Sequence, residues 1–573
     1  MAAASAQTPI PTPMPEPTPV PTATPAVAPE NLQDVPAIAP DFRSDDRSLP
    51  DLGRVGVDMA DQKPLTLREA IAMALDNNKD IEVTRHNVKI AEYDLEAARG
   101  VYEPRFSGQT YWEKSSVPNT SFFAPQISKI SNGTFAGNAG FQGYIPNFGT
   151  ILSANVQNQR VTTDNPISIF SPQYNSSLSF SITQPIFRGR SFDQQRRTIE
   201  IAKRNLSLTD TQFRQRTIEI IAGVQRAYWD LTYALRNLQV QRDTVRDARE
   251  QLRHNRRLVE EGQLAPIDVV AAETQVANFE QAVYDALNAV TQAENALKNM
   301  IAPNRTDGIW AESVTPVDPV DLTAPSTTLS DALTAALENR PELELNKVQK
   351  DINEVDRRFY KEQGKPQIDL VASYGSAGIG GTLNPDFSNP LLRDCATNPN
   401  TEECVAAARA QALLLQNIGG PGSSVTDIFS NKYPTFRVGV QFNLPLFGDK
   451  TARAQYGRSL VEGQRLETVR EQLEQNIQVD VRNALQAVRT AEARLRAAAI
   501  SRENLTKQYE SEQRKLDEGQ SDIYKVLDRQ TQLAAARSAE LRAQTELNKA
   551  IADLQRATGN SLKANNVEAR LRK

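Results

Sequence analysis

Cysteine is almost absent from the 573 residues: Cys395 and Cys404 are the only two, nine positions apart. That count excludes a thiolate metal cluster. The spacing suits a local disulfide in an oxidising compartment, two idle thiols being the plainer alternative. Histidine is as scarce, and His86 and His254 sit among polar neighbours of helical pattern, where both read as solvated side chains. No apolar run approaches the roughly eighteen residues that a transmembrane helix needs. A membrane crossing would therefore require a closed β-barrel, because lipid offers open backbone groups no partner. Positive charge is not in excess either: 65 Lys and Arg against 70 Asp and Glu leave −5 at pH 7. The electrostatic case for nucleic-acid binding fails on that balance. No nucleophile elbow, zinc-binding helix, Walker loop or paired-carboxylate setting is present, so the chain does not read as an enzyme and implies no cofactor or metal.

Proline is crowded at one end. Residues 8–40 alternate it with small and polar residues, which denies helix and ladder hydrogen bonds and leaves polyproline II or disorder. Residues 1–63 are expected to be a disordered extension, a spacer in the plain reading and a recognition segment for a periplasmic partner or the cell wall in the sharper one. Met1 to Gln7 resemble the small-residue end of a signal peptide, with the expectation that a secretion signal has been removed. With no cysteine near the start, this form of the chain is not expected to carry an N-terminal lipid.

The rest of the chain is a tandem duplication. A constant shift of 262 lays residues 65–112 on 327–374, placing Leu67 on Leu329, Ala70 on Ala332, Leu75 on Leu337, Asn77 on Asn339 and Pro104 on Pro366. Later, Gln184-Pro185-Ile186-Phe187 matches Leu444-Pro445-Leu446-Phe447, and Glu261-Gly262-Gln263 matches Glu518-Gly519-Gln520. Two repeats are read, over 64–325 and 326–573. Each opens with a helix that ends near a proline and feeds a strand.

The strands are short and two-faced. Leu178, Phe180 and Ile182 share one face against hydroxyl residues; Phe436, Val438, Val440, Phe442 and Leu444 oppose Arg437, Gly439, Gln441 and Asn443. Such alternation suits a lipid-facing barrel wall around water, although a soluble sheet with one wet face gives the same pattern.

What flanks the strands is decisive. No proline occurs from Arg188 to Ala265 or beyond Pro445, room for helices of roughly seventy residues and 105 Å. Leu231, Leu238, Val245, Leu252 and Val259 recur every seven residues. Ile477, Val481, Ala484, Val488, Ala491, Leu495, Ala498, Leu505, Tyr509 and Leu516 take alternating four-three steps, interrupted by Arg502 and Glu512. A shift of 257 brings both series into one register. These are coiled-coil seams. Alanines such as Ala487, Ala493, Ala497, Ala534, Ala535 and Ala536 allow close approach on further faces. At Gly262 and Gly519 each helix is expected to reverse, into partners over 266–300 and 522–557.

The repeated L-T-L-x-x-A-x-x-x-A-L-x-x-N pattern, the strand-to-helix joints and the E-G-Q tips together resemble the outer-membrane efflux protein family, the TolC-like channel-tunnels, over residues 64 to 560. The resemblance implies an α+β membrane protein. It further implies a tandem-duplicated subunit of a homotrimer, with four strands per subunit in a shared 12-strand β-barrel that continues into a long coiled-coil α-barrel. It implies a passive duct that receives solutes from an inner-membrane transporter and a periplasmic adaptor, set in outer-membrane lipid, with its helical part in the periplasm. The alternative is a periplasmic coiled-coil adaptor or structural protein without a pore. In the family, acidic rings narrow the entrance. Asp528 matches one such position and Asp268 its relative in the first repeat, while Lys525 stands where another Asp is usual. Adaptor docking carries over to the tips, Gly262, Gln263, Leu264, Gly519, Gln520 and Ser521. Two departures stand out. A strand-like pair at 134–145 and 148–160 reads as a hairpin raised in an outer loop. A long insertion at 375–432 holds Gly378, Gly380, Gly381 and both cysteines, without the strand-then-helix context of a phosphate cradle.

Overall fold

In the computed structural model, the residues described are 52–120, 127–387, 399–417, 422–444 and 449–567, with isolated positions between them. Most of the proline-rich extension and the second strand-to-helix joint, 445–448, lie outside the described residues. The first half of the chain runs β1 (Asp58–Leu65), α1 (Leu67–Asn77), α2 (Lys79–Arg99), β2 (Arg105–Pro118), β3 (Lys129–Ile145), β4 (Thr150–Thr163), β5 (Phe170–Pro185), α3 (Gln194–Glu260) and α4 (Pro266–Ile301). The second runs β6 (Glu312–Pro316), α5 (Leu329–Asn339), α6 (Pro341–Gln363), β7 (Gln367–Leu383), α7 (Glu402–Asn417), α8 (Ser423–Phe429), β8 (Tyr433–Asn443), α9 (Lys450–Asp517), α10 (Ile523–Ala557) and α11 (Ser561–Ala564).

The opening helix expected in each half is two helices. Asn78 takes an extended conformation and caps α2 by accepting from the Asp80 amide; in the second half Arg340 is extended likewise but makes no side-chain cap bond, and Pro341 after it has no N–H to give. Asn77 and Asn78 donate their amides to the carbonyls of Ile301 and Met300, closing the end of α4. The starts agree between halves. Thr66 and Glu69 form a capping box, and Thr328 with Asp331 repeats its first half.

Six antiparallel strands form one sheet in the order β2-β3-β4-β5-β7-β8. This is two more than the four per subunit that the resemblance implies. The pair read as a raised hairpin is β3 and β4, full-length members between β2 and β5. Its turn lies at the helix end of the sheet, not the far end. There Thr150 and Gln184 are hydrogen-bonded, Gln184 donates to the Phe148 carbonyl, and Arg196 at the start of α3 donates to the carbonyls of Asn147, Gly189, Arg190 and Ser191. Gly149, at φ +67, is in the left-handed region, and a Cβ there would lie 2.8 Å from the Gly189 carbonyl oxygen.

Register makes the two faces explicit. Successive cross-strand partners Phe106, Phe141, Ala154, Phe180, Tyr374 and Phe436 form one row across all six strands. The adjacent row, on the other face, is Ser107, Gly140, Asn155, Ser179, Gly375 and Thr435. All five aromatics of the first row are exposed, Phe106 and Phe436 by 76% and 75%. The two end strands, β2 and β8, have no partner on their outer edges among the described residues.

The insertion packs against the apolar face beyond that row. Ser176 of β5 donates to Ser424 of α8 (3.1 Å), and Ser376 of β7 donates to the Ile428 carbonyl (3.0 Å). Gly378 permits this approach, since a Cβ there would run into the Ser424 carbonyl. Cys395 and Cys404 are joined by a disulfide, with Cα atoms 5.6 Å apart.

The long helices α3 and α9 have 67 and 68 residues, about 100 Å each. Their strand-side halves pack on α2 and α6 and their other halves on α4 and α10. The heptad residues Leu231, Leu238 and Val245, and Ile477, Val481, Ala484, Val488 and Ala491, are buried as the seams require. Midway, a parallel pairing of β1 with β6 is anchored to α4 by charge. Glu294 pairs with Arg54 (2.6 Å) and Lys298 (3.3 Å), all three side chains being buried. Lys298 also donates to the carbonyls of Trp310 and Glu312, and Glu294 accepts from the Val314 amide. Tyr228 of α3 donates to Asp318 (2.6 Å), and burial followed by that carboxylate pushes its hydroxyl well above the usual phenol range.

Candidate pore entrance at the helix tips

Both long helices stop in the same way because both sequences place glycine one residue past the cap. Gly262 at φ +76 and Gly519 at φ +70 adopt the left-handed conformation. The next amides reach back: Gln263 to the Leu258 carbonyl (2.8 Å) and Gln520 to that of Lys515 (2.8 Å). The pairs satisfy carbonyls that a helix end leaves open, and only glycine takes this backbone without strain. Residues 261–263 and 518–520 are exposed, Leu264 and Ser521 half-buried. The return helices are α4, with Pro266 at its first position, and α10, capped by Asp522.

The two hairpins pack side by side. Ile523, Val526 and Leu527 of α10 meet Leu516 and Tyr509 of α9 and Ala271 of α4. Gln275 of α4 donates to Thr531 of α10 (2.9 Å). Asp247 pairs with Arg537 across α3 and α10 (3.5 Å), while Arg249–Glu280 and Arg256–Glu273 brace the first hairpin. Each of these partly exposed pairs contributes about 0–1 kcal/mol. Gln530 is buried with neither amide atom bonded, a cost of about 1–3 kcal/mol set against this packing.

The three ionisable residues singled out at the entrance differ in circumstance. Asp528 is exposed and accepts from Gln532 one turn on (2.9 Å). Lys525, also exposed, turns back to Asp522 (3.0 Å), whose carboxyl is held below the usual range chiefly by that hydrogen bond. The lysine charge is thus answered within its own turn. Asp268 is half-buried and accepts from the Ala265 amide (3.1 Å), so it serves as a helix-start cap. Two contributors escaped the sequence reading. His254, read as solvated, meets Asp517 (3.0 Å) and bridges α3 to α9 near their ends. Glu512 accepts from the Ser521 hydroxyl, which lowers its carboxyl below the ordinary range and fixes the second tip. Both pairings join residues far apart in sequence or across a turn, and no local pattern announces them.

Among the described residues no cluster of His, Cys, Asp and Glu is arranged to hold a metal, and no helix is long and apolar enough to cross a membrane. The family model for outer membrane efflux proteins matches residues 138–302 and 332–560. Comparison with curated proteins returns no match. Among solved structures, the fold is similar to the CmeC outer membrane channel of Campylobacter jejuni (14% identity, 86% of each chain covered, TM-score 0.59). It is similar also to the outer-membrane channel OprN (14%, 91% of this chain and 99% of that one, 0.59). The open state of the Neisseria gonorrhoeae MtrE outer membrane channel aligns at 16% identity over 87% of this chain and 89% of that one, with a TM-score of 0.55.

Proposed function

The chain belongs to the outer membrane efflux protein family, and on that premise we propose that three copies form a passive exit duct through the outer membrane. Solutes reach it from an inner-membrane transporter and a periplasmic adaptor. The observation that carries this reading is the exposed apolar row of the sheet backed by a polar row. A lone subunit leaves two strand edges open and an aromatic face in water; symmetry-related copies pair the edges, and lipid covers the aromatic face of the barrel they close. Ala487, Ala493 and Ala497 of α9 are exposed as well, a small-residue face suited to close helix contact with the next subunit. An adaptor without a pore would bury its apolar strand faces inside small soluble domains, so it fits the sheet poorly.

The work asked of the residues is geometric. The polar row lines a wet lumen and the tips narrow it. Three copies of Asp528 around the axis would favour cations, as ring charges do in other pores. Lys525 adds no opposing ring, being paired with Asp522. The test is conductance of the purified trimer in a planar bilayer. Ion channels with cation preference are expected, and Asp528→Ala should reduce that preference severalfold. An unchanged preference removes the acidic ring, and no conductance at all removes the duct. The tips Gly262, Gln263, Leu264, Gly519, Gln520 and Ser521 are the proposed adaptor contacts. Glu261→Lys combined with Glu518→Lys, at the exposed tips, is expected to cut adaptor recovery in a pull-down at least tenfold while trimers persist; undiminished recovery would place docking elsewhere.

A further inference from the structure

We infer that the barrel of this protein closes on eighteen strands rather than twelve, the hairpin β3–β4 being part of the wall. The inference rests on the trimeric duct reading and specifies its pore. Three observations support it independently of strand counting in relatives. The first is continuity: β3 pairs with β2 over Lys129–Gln142 and β4 with β5 over Ile151–Val161, without a bulge. A hairpin lying over the mouth of a barrel would leave β2 paired with β5 instead.

The second is facing. On β3 and β4, Phe135, Phe141, Leu152 and Val156 stand on the same side as Phe106 and Phe180, and all are exposed. Asn138, Gln142, Asn155 and Gln157 stand on the other. A hairpin in water has no use for an apolar face left bare, whereas a wall strand needs one at the depth of the lipid. The third is anchorage. Arg196 binds the hairpin turn to the start of α3, and Gln184 binds it to the end of β5, at the helix end of the sheet. The hairpin therefore spans the same height as its neighbours.

Closing by symmetry, β8 of one copy pairs with β2 of the next. With strands about 4.8 Å apart and tilted by about 40°, eighteen give a backbone cylinder roughly 36 Å across, against roughly 24 Å for twelve. Barrels of that strand number leave a wide aqueous channel. The outer section is then sized for bulkier or more numerous solutes than a twelve-strand wall admits, and the helix tips remain the sieve.

Electron microscopy of the purified trimer in lipid nanodiscs should resolve eighteen strands. Deletion of Lys129–Asn165 leaves β2 and β5 antiparallel and able to pair, so this variant should show twelve and a cylinder about one-third narrower. Should the deletion fail to fold, single cysteines in the full chain decide the matter, the native pair being already bonded. A fluorophore on Phe141→Cys or Leu152→Cys should be quenched by brominated lipid, while Asn138→Cys and Asn155→Cys react with a water-soluble maleimide and are not quenched. A trimer with twelve strands, or four cysteines labelled alike from water, overturns the inference and leaves the duct intact. Absence of any trimer overturns both.

Discussion

Phe180→Arg is expected to clear assembled trimer from the outer-membrane fraction, while Ser179→Arg, one residue away, leaves it in place. The two side chains belong to adjacent rows of the same sheet, one apolar and exposed, the other polar. An arginine on the lipid side near mid-membrane costs about 2–4 kcal/mol per copy, and a trimer carries it three times. On the lumen side the guanidinium stays in water and alters only the lining charge. Membrane fractionation with heat-modifiable gel mobility reads the outcome. Equal tolerance of both substitutions would mean that the apolar row does not face lipid.

Glu294→Ala should be the most damaging single change among the buried charges. It strands the Arg54 guanidinium and the Lys298 ammonium without their shared carboxylate and opens the Val314 amide. Removing one member of a buried charge cluster costs about 3–5 kcal/mol, here at the joint where the β1–β6 pairing meets α4. Thermal unfolding should shift down by many degrees, and Glu294→Gln, which keeps an acceptor for the amide, should fall between. Burial already pushes Lys298 below the ordinary lysine range, with Glu294 acting against that push. Without Glu294 the folded-state value drops further below the unfolded one. The unfolded chain then binds more protons, so the variant should gain stability as pH rises from 7 towards 10. A variant as stable as the parent, or one that weakens on that rise, would refute the account.

The parts of the fold that repeat locally were legible beforehand. The heptads at Leu231 and Val488, the matched tips at Gly262 and Gly519 and the capping threonines state their structure within a few residues. The break between α1 and α2 was missed, although Asn78 is a favoured cap residue and Pro341 stands at the matching break; what no local pattern shows is that both asparagine amides close the end of α4, more than 200 residues away. Strands β3 and β4 were seen but misplaced. Gly133, Gly137, Gly140 and Gly143 dilute their alternation, and only pairing shows which sheet they join. Arg54, Glu294 and Lys298 form a cluster that no spacing foretells. At the entrance, Asp528 could be matched by motif, whereas the Lys525–Asp522 pairing and the His254–Asp517 bridge depend on rotamers and on helices meeting in space.

Among the described residues the inserted hairpin belongs to the first half alone, so that half contributes four strands to the sheet and the second half two. Below the sheet the halves remain equivalent, each with one long helix and one return helix. A trimer built this way is nearly sixfold in its helices and merely threefold in its strands. Arg196, gripping the hairpin turn from the first residues of α3, stands where the two orders of rotation are reconciled, with no equivalent hairpin to grip among the described residues of the second half.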